Sequence, residues 1–202
     1  MKKGETKEPS SKDSVRQRLL GAATDLFARK GYAATTVREI VDSARVTKPV
    51  LYYYFQNKEG IYLELMRQTF SNVDYLVDFS RGEKGSAREK LLRFCDQAFT
   101  LFLKNTEAIR VMYAIYYGPR QGAPFFDFDG YHLKFLEAIR ALVEEGIRKR
   151  EFRKGEAENM TWATLGAVNV AMQVQLSHPE MGLGREGLAR VLNLIFRGIS
   201  KN

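Results

Sequence analysis

One cysteine, two histidines and one tryptophan are all that this sequence of 202 residues offers of those three types. Cys95 therefore has no partner for an intrachain disulfide, which fits a reducing compartment, and it reads as a small buried hydrophobe on a helical face. His132 and His178 are far apart and have no neighbouring ligand cluster, so neither a metal site nor any cofactor is expected. A phosphate-cradling glycine loop and a nucleophile elbow are both missing. Asp127 and Asp129 come nearest to an acid/base pair, but they punctuate an aromatic loop. Enzyme chemistry thus has little to stand on. No apolar run approaches ~20 residues, so no membrane partner is expected. The lysines at positions 2 and 3 lead into polar sequence rather than a secretory core. The expected location is the cytoplasm. Strand signals are almost wanting: Tyr52-Tyr53-Tyr54-Phe55 has β-type residues but lies in helical phase.

What is present is a hydrophobic content of 45%, enough for a real core, and a formal net charge of +8. The charge is uneven: residues 1–60 hold 12 Lys or Arg against 7 Asp or Glu, and the remaining residues 20 against 17. A basic excess concentrated at one end favours a phosphate-bearing partner. Residues 1–13 are polar, lysine-rich and aperiodic. They read as a flexible arm, which either touches phosphates or only solubilises.

From Ser14 the pattern is helical, with Leu19, Ala22, Ala23, Leu26 and Phe27 at steps of three and four and Gly31 as a left-handed stop. Thr36-Val37-Arg38-Glu39 reads as a capping box opening a second helix. Thr47 can cap a third, with Pro49 in its first turn, and Asn57 a fourth running to about Phe79. Five more helices are expected at about 86–104, 106–117, 126–150, 156–177 and 185–200. Three short helices with a tight turn between the second and third outline a helix-turn-helix. Its third helix would enter the major groove. Thr47, Lys48 and Val50 can meet bases or methyl groups. The hydroxyls of Tyr52, Tyr53 and Tyr54 can reach phosphate oxygens, and Lys58, at a helix start, suits another phosphate.

Residues 18–63 resemble the N-terminal signature of the TetR family of bacterial transcriptional regulators. The matching features are Ala23 with Leu26-Phe27, Gly31-Tyr32, Thr35-Thr36, Ile40, Ala44, Val46, Leu51-Tyr52, Tyr54-Phe55 and Lys58. The resemblance implies phosphate contacts at Thr36, Tyr52, Tyr54 and Lys58. It implies contacts to bases or nearby backbone at Arg38, Thr47, Lys48, Pro49, Val50 and Tyr53. Two positions depart from the pattern. Arg45 stands where the turn usually has glycine, which would hold a non-glycine residue at positive φ. Its side chain is either a phosphate contact or a solvated turn residue. Val41 stands where alanine is usual, crowding the second helix against the third.

The middle of the chain is rich in aromatics and methionine. Phe99, Phe102, Met112, Tyr113, Tyr116, Trp162 and Gln173 are either bulky core or the lining of an apolar ligand cavity, and the resemblance implies such a cavity. Arg110, Arg120 and Arg140 either meet an anionic group of the ligand or are solvated. Ala163, Gly166, Ala167, Val170 and Val174 form a small-residue face. Leu188, Val191, Leu192, Ile195 and Phe196 form an apolar stripe. These two surfaces either bury within one subunit or build the four-helix interface of a homodimer, as the family commonly does. The fold class expected is all-α: a helix-turn-helix DNA-binding domain at 14–57 behind the arm at 1–13, then an effector-binding and dimerisation domain at 58–202. The expected function is sequence-specific regulation of transcription. It would be by a repressor that leaves a palindromic double-stranded DNA operator when a small, largely apolar effector binds. The rival readings are an enzyme with an aromatic pocket and a non-specific nucleoid binder.

Overall fold

The computed structural model describes residues 11–82, 84–155 and 157–199. Among these residues the regular elements are all helical: α1 (Ser11–Lys30), α2 (Val37–Ala44), α3 (Lys48–Phe55), α4 (Lys58–Gly82), α5 (Ala87–Lys104), α6 (Thr106–Tyr116), α7 (Phe128–Arg148), α8 (Ala157–Ser177) and α9 (Gly184–Ile199). A single 3-10 turn, Pro179–Met181, joins the last two. The all-α expectation stands. Of the expected arm, residues 1–10 lie outside the described residues, and Ser11 to Asp13 already belong to α1. The helix expected from 126 starts at Phe128, because the Asp127 carboxylate accepts the Gly130 amide at 2.9 Å and caps it there.

The chain divides into two compact units, and the first is discontinuous. It runs to Thr69 and resumes at Glu107–Phe126; the second takes Phe70–Thr106 and everything from Asp127. The expected boundary at residue 57 thus falls inside the first unit. Its core is built by Leu19, Ala23 and Phe27 of α1, Ile40 and Ala44 of α2, Leu51 and Phe55 of α3, and Ile61, Tyr62 and Met66 of α4, all at most 5% exposed. Burying one such side chain stabilises by about 1.5–3 kcal/mol before conformational entropy is counted. The rings of Phe27, Tyr32 and Tyr62 meet edge to face or tilted at 5.3–6.5 Å. Burial pushes the Tyr32 and Tyr62 phenols up to about 12, helped at Tyr32 by Glu59. Arg16 ties α1 to α4 through an ion pair with Glu64 and lies 5.4 Å over the Phe55 ring.

In the second unit α5 packs on α7 and α9, and α8 on α7 and α9. Phe94 stacks on Phe135 at 5.0 Å, and Phe152 meets Phe196 at 6.2 Å. Gly146 is buried in α7, and a Cβ there would overlap the Phe152 ring. The nearly buried Lys90 is neutralised by Glu145 at 2.8 Å, which also accepts from Lys149 at 2.7 Å. Those two lysines hold the Glu145 carboxyl below its ordinary range, Lys149 first. Cys95 is fully buried and its thiol is pushed up to about 12 by burial.

Candidate nucleic-acid interface

Local sequence dictates the geometry of the head. Thr36 opens α2 with extended backbone and closes a full capping box with Glu39. The turn after Ala44 is saturated by backbone bonds: the Arg45 amide donates to Asp42 at 3.2 Å and the Val46 amide to Val41 at 3.0 Å. Arg45 itself sits at φ 54°, ψ 51°, the left-handed conformation anticipated for it. Thr47 has the extended backbone of an N-cap, and its carbonyl accepts the Val50 and Leu51 amides. Its hydroxyl makes no capping bond, contrary to expectation, and is left exposed. Asn57 caps α4 as expected, accepting the Gly60 amide at 2.7 Å. Gly60 is required there, since a Cβ would overlap the Phe55 carbonyl.

These caps set α3 on edge. Leu51 and Phe55, one turn apart, anchor it to the core, while Thr47, Lys48, Pro49, Tyr52 and Tyr53 are exposed and Val50 and Tyr54 are half-buried. Tyr53, at 72% exposed, points its ring away from the core and is held edge-on by Tyr54 at 5.0 Å. A helix so presented shows a hydroxyl, an ammonium and two phenols on one outward surface, with no acidic residue among them. Arg38 is also exposed, 3.8 Å from Asp42.

Two of the expected phosphate contacts are otherwise engaged. The Thr36 hydroxyl donates to Glu39 at 2.8 Å and accepts the Glu39 amide at 3.2 Å, and the Thr36 amide donates to the same carboxylate. Lys30 reaches Glu39 as well, and with Thr36 it holds that carboxyl down at about 2. The Lys58 ammonium does not project outward. It donates to the Tyr32 and Thr35 carbonyls, both at 2.9 Å, and lies 4.2 Å over the Tyr32 ring. Burial lowers its pKa, yet two carbonyl dipoles and a ring face favour the cation. Lys58 is therefore first an internal clamp across the α1–α2 corner.

Sequence reasoning missed Gln121. From the loop after α6, its side-chain oxygen accepts the Tyr32 amide at 2.8 Å, and its nitrogen donates to the Ala114 carbonyl at 3.2 Å. Gly31, at φ 84°, leaves the room: a Cβ there would stand 2.7 Å from the Gln121 oxygen. A lone glutamine in a Gly- and Pro-bearing loop carries no periodic signal that could have marked it.

The residues expected to line a ligand cavity differ in burial. Phe99 and Phe102 are buried in the second unit, stacked at 5.6 Å. Met112 and Tyr113 are half-buried and Tyr116 is exposed, in the first unit. Trp162 is 51% exposed and Gln173 is exposed too. Both share the exposed face of α8 with Ala163 and Val170. Arg110 pairs with Glu107 at 3.4 Å, and Arg120 and Arg140 are exposed. The expected dimer stripe splits in the same way. Leu188, Leu192 and Phe196 are at most 2% exposed and belong to the core of their own unit, because α9 turns that face onto α5 and α8. Gly166, Ala167, Val174, Val191 and Ile195 are half-buried, and Leu194, not anticipated, is 72% exposed.

Residues 19–65 match the family of bacterial regulatory proteins typified by tetR. The HTH-type transcriptional repressor KstR2 of Mycolicibacterium smegmatis is 31% identical over 156 residues, covering 72% of this chain and 71% of that repressor. The HTH-type transcriptional regulator QacR of Staphylococcus aureus is 25% identical over 158 residues, covering 77% and 83% of the two chains. The TetR family transcriptional regulator PfmR from Thermus thermophilus shares the fold with a TM-score of 0.73 at 23% identity, covering 93% of this chain and 98% of that one. With a capped helix-turn-helix at its head and relatives that are regulators and not enzymes, this chain belongs to the TetR family of bacterial transcriptional regulators.

Proposed function

We propose that this regulator is a homodimeric repressor that binds a palindromic DNA operator and leaves it when a small, largely apolar effector occupies the helical part behind the head. The observation that carries the DNA reading is the outward surface of α3. Thr47, Lys48, Pro49, Tyr52 and Tyr53 stand exposed on a helix fixed from behind by Leu51 and Phe55. The Thr47 hydroxyl and the Lys48 ammonium suit base edges, and Tyr52 suits a phosphate. Arg38, Val50 and Tyr54 flank that surface. Lys58 reaches a phosphate only with the one N–H its internal bonds leave over, and Thr36 only by giving up a bond to Glu39. The name of the KstR2 relative, a repressor, supports repression.

The dimer reading rests on uncovered apolar surface. Trp162 and Val170 of α8 and Leu194 of α9 are each more than half exposed, on two helices that pack on each other. Such a surface is an association surface. Two helices from each copy make a four-helix interface with Ala163, Gly166, Ala167, Val174, Val191 and Ile195 at closest approach. A two-fold dimer reads two half-sites about one turn, roughly 34–36 Å, apart. The effector acts by binding one spacing of the two heads better than the other. Its contacts are sought at Phe99 and Phe102 of the second unit. A DNA partner in a bacterium places the protein in the cytoplasm.

The test is selection of bound duplexes from a random library, with light scattering on the same protein. A palindromic motif and a dimeric mass that falls to monomer in Val170→Asp support the reading. An enrichment without two-fold symmetry, or a monomeric wild-type chain that still binds its motif, overturns it.

A further inference from the structure

The tight turn between α2 and α3 contains a conformational anomaly. Arg45 occupies the left-handed region at φ 54°, ψ 51°, where an L side chain is strained and glycine is not. The strain does nothing for the turn itself. The 45 and 46 amides already have their carbonyl partners, and glycine would make the same two bonds. Nor does the side chain repay it within the fold. Arg45 is exposed, and among the described residues its side chain makes no ion pair, hydrogen bond or ring contact. The nearest acid in sequence, Asp42, faces Arg38. Residues held in costly conformations without an internal reason cluster where function uses them.

Position decides which function. Arg45 lies two residues before Thr47 and three before Lys48 at the N-terminal end of α3, the end a recognition helix turns toward the base edges. The backbone of the flanking strand borders that end. A guanidinium is the longest cation available, is always charged and offers a fork matched to two phosphate oxygens. We propose that Arg45 is a phosphate-contacting residue of the DNA head, supplied by this turn at the cost of backbone strain. The proposal rests on α3 being the recognition helix.

The two roles make opposite predictions for Arg45→Gly. The variant is expected to melt higher, because the strain is gone. It is expected to bind the selected duplex about tenfold more weakly at moderate salt, with the slope of log K against log salt shallower by about 0.9, one phosphate's worth of counterion release. Base preference is expected to stay unchanged, and Arg45→Lys to restore the salt slope but only part of the affinity. A glycine variant with wild-type affinity and slope overturns the proposal and leaves Arg45 a solvated turn residue. A changed base preference overturns it in favour of base reading. The wild type is measured in the same series: if it shows no sequence preference, the recognition-helix reading fails instead.

Discussion

Replacing Lys58 by methionine removes an ammonium while keeping most of its apolar stem. In the structure that ammonium satisfies the Tyr32 and Thr35 carbonyls and covers the Tyr32 ring. A hydrogen bond from a charged donor contributes about 1.5–3 kcal/mol, and a cation over a ring about 0.5–1 kcal/mol at a partly exposed site. Water can re-solvate the two carbonyls in part, so the sum is discounted to about 2–3 kcal/mol. For a chain of this size, 1 kcal/mol moves the melting temperature by about 2–4 °C, giving an expected drop of about 5–10 °C. Thermal unfolding followed by circular dichroism reads this without any DNA present. The α1–α2 corner fixes the N-terminus of α2, so DNA affinity is expected to fall as well. If Lys58 served only a phosphate, the melting temperature of Lys58→Met would stay within about 1 °C while the salt slope lost one unit. That result would refute the clamp.

Gln121→Ala leaves the Tyr32 amide without its acceptor and is expected to cost about 1–2 kcal/mol in denaturant unfolding. Gly31→Ala crowds the same oxygen, so the two changes together should cost less than their sum; strict additivity would show that the contact does not exist in solution. The Glu39 carboxyl, held at about 2 by Lys30 first and Thr36 next, lies below its ordinary 4.5. Its contribution is therefore complete above about pH 4.5 and is lost as pH falls toward 2. Glu39→Gln should flatten that part of the acid unfolding curve, and an unchanged curve would mean the capping box is not populated.

The helices and the head were legible because their signals are local. The Thr36–Glu39 box, the Gly31 stop and the Asn57 cap each lie within four residues of what they satisfy, and all three formed. Even the positive φ at Arg45 was readable, since a turn that short permits few conformations. What escaped depends on contacts between distant stretches. Lys58 is drawn inward by carbonyls at 32 and 35, and Gln121 reaches a residue 89 positions away. Periodicity marked α9 as amphipathic but could not say which flank stays wet. Leu188, Leu192 and Phe196 were therefore assigned outward when they face the core, and Leu194 was passed over. An aromatic such as Trp162 reads from sequence as core or cavity lining, whereas its place on α8 turns it to solvent.

The discontinuity of the first unit bears on how the protein is made. A ribosome that has released α1 to α4 has released the whole helix-turn-helix but not Gln121, which follows only after the whole of α5 and α6. Until then the Tyr32 amide has no side-chain acceptor, although Lys58 and the Lys30–Glu39 ion pair already tie the α1–α2 corner. A chain stalled or cleaved within α5 therefore carries the α1–α2 corner without the Gln121 bond. The order of synthesis thus makes a finished head depend on a chain that already contains the first helices of the body.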